Sequence, residues 1–518
     1  MTVQDYSGNP SGGAANLPFT TIDFPETVGP MISNPNPLIM QLRVQWDLVD
    51  SLWEGTTAMR AKGQTYLPKT EMETPQQYQQ RLSRSTLYNS FKKTIQNGVG
   101  RVMSIPIVIK SDSAPLNLFC DDVDTQCRSI TQFGKEVLAN MLRHGVSYIL
   151  TDYSRIANDY ATLADEQLSG ARPYWVSIPA TNVLDARSGF VGGKERLVLF
   201  RYEEIVNEMN SQDFTASQYR QVRIFQLDTD GTVNYAVYRL ANPNSGNWTL
   251  QDKGVLPFLT DIPVAPCYGD RIGFFMGKPV LMDLAEKNVE HWQLNSDITN
   301  IVRYATIPIL FGRGLTTEIV ENGAVKQVTI SPQQGIFTAD PAANLSWVEI
   351  EGKSISTAQA LLDTIETHME RLGMSLTTSQ PGTLTATEKS ITTAEANSLL
   401  KSIAMNLQEA FEHALFHVSQ FLSSPTQDIS VNVNTQYAVD YADQGDYQLV
   451  LQTYAAGIIN KETVLEEGRR RNILDPQVDI EEMLATEPIA PPPLNNVDPP
   501  VKPASIPPVQ NGAEDGKA

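Results

Sequence analysis

The amino-acid sequence predicts an α+β fold that is mainly helical. Three long segments in the second half of the chain repeat apolar residues with the 3.6-residue period of a helix that buries one face. Short stretches rich in β-branched and aromatic residues precede these segments and also separate the first two. With 518 residues, 41% of them hydrophobic, the chain can bury a large core and should form more than one structural unit.

Charge and cysteine content exclude several classes of protein. The formal net charge of −20 argues against general attachment to nucleic acid, so any DNA contact must be local. Cys120, Cys127 and Cys267 are too few and too irregularly spaced for a disulfide framework or a common zinc site. No signal-peptide pattern opens the chain, and no uncharged apolar run reaches membrane-spanning length. We expect a reduced intracellular folding compartment, no membrane partner, no metal and no cofactor.

The first half of the chain predicts helices followed by strands. Helical spacing covers Leu38 to Arg60, Thr74 to Val102 and Phe133 to His144, the last ending near Gly145. Asp228 to Gly231 has the turn chemistry of a hairpin. The predicted strands, which should form a half-buried antiparallel sheet, are Ser147 to Tyr153, Pro173 to Ile178, Arg196 to Tyr202, Tyr219 to Leu227 and Val233 to Arg239.

The second half predicts helix, β-module, helix, polar loop and long helix. The three helical patterns are Lys278 to Tyr304, Ser356 to Met374 and Thr393 to Leu422. The β-module between the first two has predicted strands at Ile307 to Phe311, Val325 to Ile330, Gly335 to Thr338 and Leu345 to Ile350. Shorter helices are expected at Tyr447 to Ala456 and Lys461 to Arg471, and the nine prolines after Thr486 favour a flexible tail.

The polar loop, Thr377 to Thr392, reads TTSQPGTLTATEKSIT. Its Pro381-Gly382 pair forbids a continuous helix through the segment. An ordinary exposed connection is one interpretation of this loop. Its length favours the other, because long polar connections are often functional.

The obvious catalytic signatures fail. Gly277-Lys278 resembles the end of a phosphate-binding loop, but Pro279 stands where Ser or Thr is required. His413 and His417 have metal-ligand spacing but lack the glutamate of a zinc peptidase between them, so two histidines at the edge of a helix stripe explain them better. The carboxylates Asp283, Glu286 and Glu290 fit a solvated helix face better than an acid/base pair.

Several sequence blocks, in order, carry a family resemblance over roughly residues 38 to 485. They include WDLVDSLWEGTTAMRAKGQTYLPK from Trp46, YQQRLSRSTLYNSFKKTIQNGVGRV from Tyr78, ARPYWVSIPATNVLDAR from Ala171, IPVAPCYGDRIGFFMGKPVLMDLAEKNVEHWQLNSD from Ile262, LSWVEIEGKSI from Leu345 and GTLTATEKSITTAEANSLL from Gly382. With these blocks the chain resembles the portal proteins of tailed bacteriophages. No single block is diagnostic, and the resemblance rests on their order and spacing.

The resemblance implies a ring, typically of twelve subunits, with wing, stem, clip and crown regions and long stem and tunnel helices. On this sequence the regions would be an N-terminal extended arm (1–37), wing (38–275), first stem helix (276–304), clip (305–352), second stem helix (353–376), tunnel loop (377–392), long wing/tunnel helix (393–424), C-terminal wing/crown helices (425–486) and proline-rich flexible tail (487–518).

The resemblance also implies a function without catalysis. Double-stranded DNA would pass through the ring during packaging and ejection. The terminase packaging motor and later the head-completion adaptor or tail proteins would dock on it, beside the major capsid and scaffolding proteins. Assembly would occur in the host cytoplasm and the final location would be the portal vertex of the virion. The alternatives are another head–tail connector or minor virion structural protein and, more remotely, a soluble hydrolase with an unrecognised site.

Candidate site residues follow from the same resemblance. The tunnel loop would present Thr383, Thr385, Thr387, Glu388 and Lys389. An acidic channel repels DNA phosphates and lets the duplex slide, while a few basic side chains position it. The candidates for those basic side chains are Lys389, Arg303 and Arg313. For the two arginines, salt bridges between neighbouring subunits are the favoured alternative.

Overall fold

The computed structural model divides the chain into two compact units, Met1–Ala438 and Val439–Ala518. The residues that the structure describes are 24–154, 170–209, 214–241, 246–305, 309–313, 318–321, 324–327, 342, 344–348, 353–374, 386–422, 429–435, 437, 444–470, 473–474 and 480–485. The first 23 residues and the proline-rich tail, 487–518, therefore lie outside the described part.

Helices are numbered here in chain order along the described residues. Those of the first unit are α1 (Pro37–Glu54), α2 (Thr56–Lys62), α3 (Pro75–Arg84), α4 (Ser90–Val102), α5 (Ala114–Phe119), α6 (Ile130–His144), α7 (Met282–Ala305), α8 (Lys353–Met374) and α9 (Ala386–Phe421). Those of the second unit are α10 (Gln444–Ala455), α11 (Lys461–Arg470) and α12 (Ile480–Ala485).

Strands are numbered in the same way, and every described pairing is antiparallel. They are β1 (Thr27–Val28), β2 (Val108–Lys110), β3 (Val146–Tyr153), β4 (Pro173–Pro179), β5 (Val183–Val191), β6 (Lys194–Met209), β7 (Ala216–Leu227), β8 (Val233–Leu240), β9 (Trp248–Leu256), β10 (Val264–Tyr268), β11 (Arg271–Gly273), β12 (Met276–Gly277), β13 (Ile309–Arg313), β14 (Glu318–Glu321), β15 (Ala324–Gln327), β16 (Asn344–Val348) and β17 (Ser430–Asn432).

Two sheets form the middle of the first unit. A six-stranded sheet has the order β1-β9-β8-β7-β6-β5, and a three-stranded sheet has the order β10-β3-β4. Alternate residues of β3 point to opposite faces, as strand geometry requires. Ile149 belongs to the core shared with the helices, whereas Tyr148 and Leu150 belong to the core shared with the six-stranded sheet. The three-stranded sheet is thus a central layer, with helices on one side and the larger sheet on the other.

The helical core is built around α9. Its stripe predicted from the sequence is buried as expected, and Phe411 stacks on Trp175 of β4 with ring centroids 5.6 Å apart. The remaining buried members are Leu400, Ile403, Ala404, Leu407, Ala414, Leu415 and Val418. The sequence therefore identified the longest helix and its buried face correctly.

Two helices predicted as continuous are each broken in the structure. The segment Leu38 to Arg60 divides at Gly55, whose φ of 92° no other residue adopts easily. The segment Thr74 to Val102 divides between α3 and α4, because the backbone becomes extended at Ser85, with a ψ of 130°, and a new helix begins after the N-cap Asn89. The helix that ends near Gly145 is confirmed, with Gly145 in the left-handed conformation.

The N-terminal extended arm predicted for residues 1–37 stays a prediction, and its described part packs on the six-stranded sheet. Residues 27–28 pair with β9 at the edge of the six-stranded sheet, and Phe24 and Ile32 are buried against Tyr238 and Trp248. These apolar side chains release more free energy by covering the outer face of the sheet than they would in an extended arm.

Every strand predicted in the first half is present, and the Asp228 hairpin joins β7 to β8 as expected. In the predicted clip, β13 pairs with β16 and β14 pairs with β15. The predicted strand Gly335 to Thr338 lies outside the described residues. In the second unit, α10 and α11 confirm the two predicted C-terminal helices.

Candidate functional site

The predicted stem corresponds to α7 and α8, which pack along one another. They contain 24 and 22 residues, so they are about 36 Å and 33 Å long at 1.5 Å per residue. Nε2 of His291 on α7 lies 3.0 Å from Oε1 of Glu366 on α8. Because a carboxylate only accepts, His291 donates this hydrogen bond. His291 is 2% exposed and the Glu366 side chain is 36% exposed, so the bond joins a buried imidazole to a partly exposed carboxylate.

The first half of α7 is attached to the start of α4 by a buried asparagine. Oδ1 of Asn288 accepts from the backbone N–H of Phe91 at 3.0 Å, and its Nδ2 donates to the carbonyl of Tyr88 at 2.8 Å. Asn288 is fully buried, so both bonds replace hydration that the side chain has lost. This amide thereby fixes the height of α7 against the start of α4.

A buried arginine makes the second attachment. Arg81 of α3 binds both carboxylate oxygens of Glu73 at 2.9 Å and Asp297 of α7 at 3.1 Å. Its side chain is only 4% exposed, and the hydrogen bonds to Glu73 raise the pKa of Arg81 further above its ordinary value. The bidentate pair with Glu73 fixes the guanidinium of Arg81, which then holds Asp297 of α7 through a single hydrogen bond. Sequence spacing gave no sign of this residue, because its partner on α7 is distant along the chain.

The entry to α7 is built from three glycines in close approach. A Cβ on Gly145 would lie 1.7 Å from the carbonyl oxygen of Lys278, and one on Gly277 would lie 2.3 Å from the carbonyl oxygen of Gly145. Gly269 meets the carbonyl of Met141 equally closely, at 2.3 Å. Gly277-Lys278 therefore has a packing function, which agrees with the rejection of a phosphate loop.

The apolar stripe predicted on α8 is only partly covered within one copy of the chain. Ile365 and Met369 are buried, but Leu361 is 51% exposed, and Ile301 near the end of α7 is 47% exposed. Beyond Ile298, each described side chain of α7 is exposed or half-buried. The distal half of the helix pair therefore presents apolar residues that the described part of the same chain does not cover.

The predicted tunnel loop is shorter than expected at its C-terminal end. Thr383 and Thr385 lie outside the described residues, but α9 begins at Ala386 instead of Thr393. Thr387, Glu388 and Lys389 therefore lie in its first turn. The threonine-rich composition of this stretch led to the later predicted start. Its alanine, glutamate and lysine nevertheless favour a helix, and adding residues to an existing helix costs little free energy.

Arg303 and Arg313, the other two candidate basic residues, lie at the end of α7 and at the end of β13. Arg303 is exposed in the last turn of α7, beside a small cavity of about 70 Å³ that Arg81, Arg84 and Ser296 also line. Arg313 is exposed at the end of β13, where its backbone pairs with Asn344. Neither arginine lies near the described start of α9 along the chain, and their predicted role in DNA contact stays a prediction.

His413 and His417 lie in the last third of α9 with ring centroids 4.6 Å apart. Burial, and then the neighbouring His413, lower the pKa of His417 to about 3, so this ring is neutral at physiological pH. Among the described residues no group of three His, Cys, Asp or Glu side chains could hold a metal ion. The interpretation of these histidines as part of a helix stripe therefore fits their surroundings.

Comparison with known proteins gives partial matches. A family model described as a domain of unknown function (DUF4055) matches residues 280–422, which contain α7, the β-module, α8 and α9. No curated protein matches the sequence. In the described part of the chain, no helix is long and apolar enough to span a membrane.

Two solved structures show a general likeness. One, titled the virion of a native gene transfer agent particle, is 12% identical with a TM-score of 0.36, covering 74% of this chain and 89% of the other. The second, titled the neck of an empty gene transfer agent particle computed with C6 symmetry, is 11% identical with a TM-score of 0.37, covering 73% and 89% of the two chains. At these scores the likeness assigns no fold family.

Proposed function

We propose that this protein is a phage portal protein, a ring-shaped conduit for double-stranded DNA at one vertex of a capsid. The observation that carries the proposal is the apolar surface on the distal half of α7 and α8, including Leu361 and Ile301. Exposed apolar surface of this kind is typical of protein–protein contacts, so we expect another subunit to cover it. A ring of identical subunits supplies that cover, because each helix pair then packs between its two neighbours.

The order of elements supports the same proposal. A helix pair interrupted by a β-module and followed by a polar segment and a long helix is the arrangement that the sequence resemblance implies. The attachments at Asn288 and Arg81 hold α7 to the wing as far as Asp297, which leaves the end of the helix pair and the β-module to extend from it. In a ring, these parts would line the axial passage and form its outer end.

Charge gives the proposed channel its mechanism. At −20 per chain, a ring is strongly acidic and repels the DNA backbone, so the duplex can slide without tight, salt-dependent binding. Lys389, at the start of α9, would position the duplex from the inner wall. The packaging motor and then an adaptor would dock at the β-module, whose described strands pair two by two.

Electron microscopy of the purified full-length chain tests the proposal. The expected result is a ring with an axial hole wide enough for duplex DNA. A monodisperse monomer at high concentration in every buffer would overturn it. A ring that supports no DNA packaging when combined with capsid, scaffold and terminase would instead favour another head–tail connector.

A further inference from the structure

A small cavity of about 70 Å³, which we call the α3–α7 cavity, lies between the C-terminal end of α3 and the second half of α7. The side chains that line it share one face of each helix, as their helical spacing requires. In a chain with 59 acidic and 39 basic residues, this lining contains three arginines and no carboxylate. The lining consists of Arg81, Arg84 and Ser85 on α3, and Ser296, Thr299, Asn300 and Arg303 on α7.

Arg81 forms the inner wall of the α3–α7 cavity, where its hydrogen bonds are already made. Its guanidinium binds both carboxylate oxygens of Glu73 and one of Asp297. Its remaining donors reach Oγ of Ser296 at 3.4 Å and the carbonyl of Pro68 at 2.8 Å. Neither Glu73 nor Asp297 lines the cavity. Because the three arginines of the lining exceed these two carboxylates by one, positive charge is left for a ligand.

Two buried serines complete the inner wall. Ser85 and Ser296 are 4% and 3% exposed, and their Oγ atoms lie 2.7 Å apart. Oγ of Ser85 also lies 2.9 Å from the carbonyl oxygen of Arg81. These contacts fix the wall before a ligand arrives, which lowers the ordering cost of binding.

The mouth of the cavity carries the side chains that a ligand can reach. Arg84, Thr299 and Arg303 are exposed, and Asn300 is half-buried. Each can donate hydrogen bonds, and the fork of an arginine can hold two oxygens of one anion. Arginine, serine, threonine and asparagine are among the side chains with which proteins bind phosphate oxygens. A cavity of about 70 Å³ has room for one such group, since a single water needs only about 10–15 Å³.

We propose that the α3–α7 cavity is an oxyanion site that holds one phosphate group. Arg84 and Arg303 bind its oxygens from the two helices, Thr299 and Asn300 add hydrogen bonds from α7, and Arg81 backs the site with positive charge. The same chemistry has two sources, which are the backbone of duplex DNA and free inorganic phosphate. The DNA source rests on the proposed function, whereas the site itself does not.

A single phosphate site per chain fits the acidic character of the protein. The net charge of −20 keeps a duplex from binding generally. A conduit in which DNA slides can hold it only through a few phosphate contacts, because every additional contact strengthens salt-dependent binding. One local site in each chain meets that limit.

Inorganic phosphate tests the site itself. Phosphorus-31 NMR titration of the full-length chain should show saturable binding, and Arg84→Gln with Arg303→Gln should weaken it at least about tenfold, the equivalent of 1.4 kcal/mol. The matched control is Arg371→Gln with Lys401→Gln, which removes two exposed positive charges that do not line the cavity. Circular dichroism checks that both double variants fold. No saturable binding by the wild type, or equal affinity in the two double variants, would overturn the oxyanion site.

Asn300→Asp tests the site without removing an arginine. The new side chain has nearly the same size but places a carboxylate at the cavity, so phosphate should bind at least about tenfold more weakly. Asn432→Asp makes the same exchange on β17, at an exposed residue that does not line the cavity, and should bind phosphate as the wild type does. Equal phosphate affinity in Asn300→Asp and Asn432→Asp would contradict the proposal.

A duplex oligonucleotide identifies the source of the phosphate. Fluorescence anisotropy over a salt series should give a weaker complex for Arg84→Gln with Arg303→Gln than for the wild type, with a salt slope smaller by about one. If inorganic phosphate binds but the duplex binds both proteins equally, or neither, free phosphate is the ligand and the DNA source is overturned. If the wild-type chain forms no ring yet binds inorganic phosphate, the proposed function fails and the oxyanion site stands.

Discussion

His291 of α7 and Glu366 of α8 are joined by a hydrogen bond of 3.0 Å across the two helices of the proposed stem. Tyr88 lies against the same imidazole, with ring centroids 5.2 Å apart, so the histidine is held from the wing side as well. A single buried side chain thereby contacts both helices of the pair and Tyr88 of the segment before α4. Loss of the His291–Glu366 hydrogen bond should therefore destabilise the packing of all three segments.

Glu366→Ala should destabilise the protein by about 1–3 kcal/mol, because it leaves the buried Nε2–H of His291 without an acceptor. The control is Glu370→Ala, which removes an exposed carboxylate one turn further along the same helix. Urea denaturation of the two variants measures the difference. Equal midpoints would show that the hydrogen bond contributes nothing to stability.

Gly145→Ala should prevent folding or cost more than about 4 kcal/mol. The new methyl group would lie 1.7 Å from a backbone oxygen, and the φ of 80° disfavours any side chain. Gly100→Ala is the matched control. Gly100 lies in α4, its new methyl group would contact nothing within 4 Å, and alanine should stabilise the helix by up to about 1 kcal/mol. Soluble yield and thermal unfolding separate the two outcomes.

Acid should destabilise the chain through His417. Burial lowers the pKa of His417 to about 3, whereas an unfolded histidine titrates near 6.5. As the pH falls, His417 therefore takes up a proton in the unfolded state before it does so in the folded state. Its contribution to the free energy of unfolding is present above about pH 6.5 and is lost as the pH falls toward 3. At pH 5 the loss from this residue should be about 2 kcal/mol.

His417→Leu should remove that part of the pH dependence, because leucine fills the buried position without titrating. Comparing free energies of unfolding at pH 7 and pH 5 for the wild type and His417→Leu checks this expectation. If the two proteins lose equal stability between these pH values, His417 is not the group responsible.

Lys389→Ala should leave ring assembly intact and reduce DNA packaging or retention, since it removes a positive charge proposed to face the duplex. Lys401→Ala removes an exposed lysine further along α9 and serves as the control. Nuclease-protected DNA per particle is the measurement. Equal protection in both variants would remove the proposed role of Lys389.

Periodicity predicted the long helices well because α7, α8 and α9 each repeat their pattern over several turns. Strand β10 was missed, since Pro266 sits within it and proline usually argues against a strand. It is tolerated there because β10 lies at the edge of its sheet.

The contacts between α7 and the earlier helices could not be predicted for a different reason. Arg81 meets Asp297 across more than two hundred residues of sequence, and no local pattern announces such a pair. Likewise, the exposure of Leu361 became visible only when α8 was placed against its neighbours, because spacing alone describes a stripe and not what covers it.

The 36 residues of α9 make a rod of about 54 Å, and from Leu400 onward its inner side is embedded in the core. The turn that carries Lys389 is rooted in that rod. The backbone at Lys389 can therefore move relative to the core only if α9 bends between Lys389 and Leu400. The stiffness of the three helical turns between Lys389 and Leu400 thus limits how far the proposed inner wall can move when DNA passes.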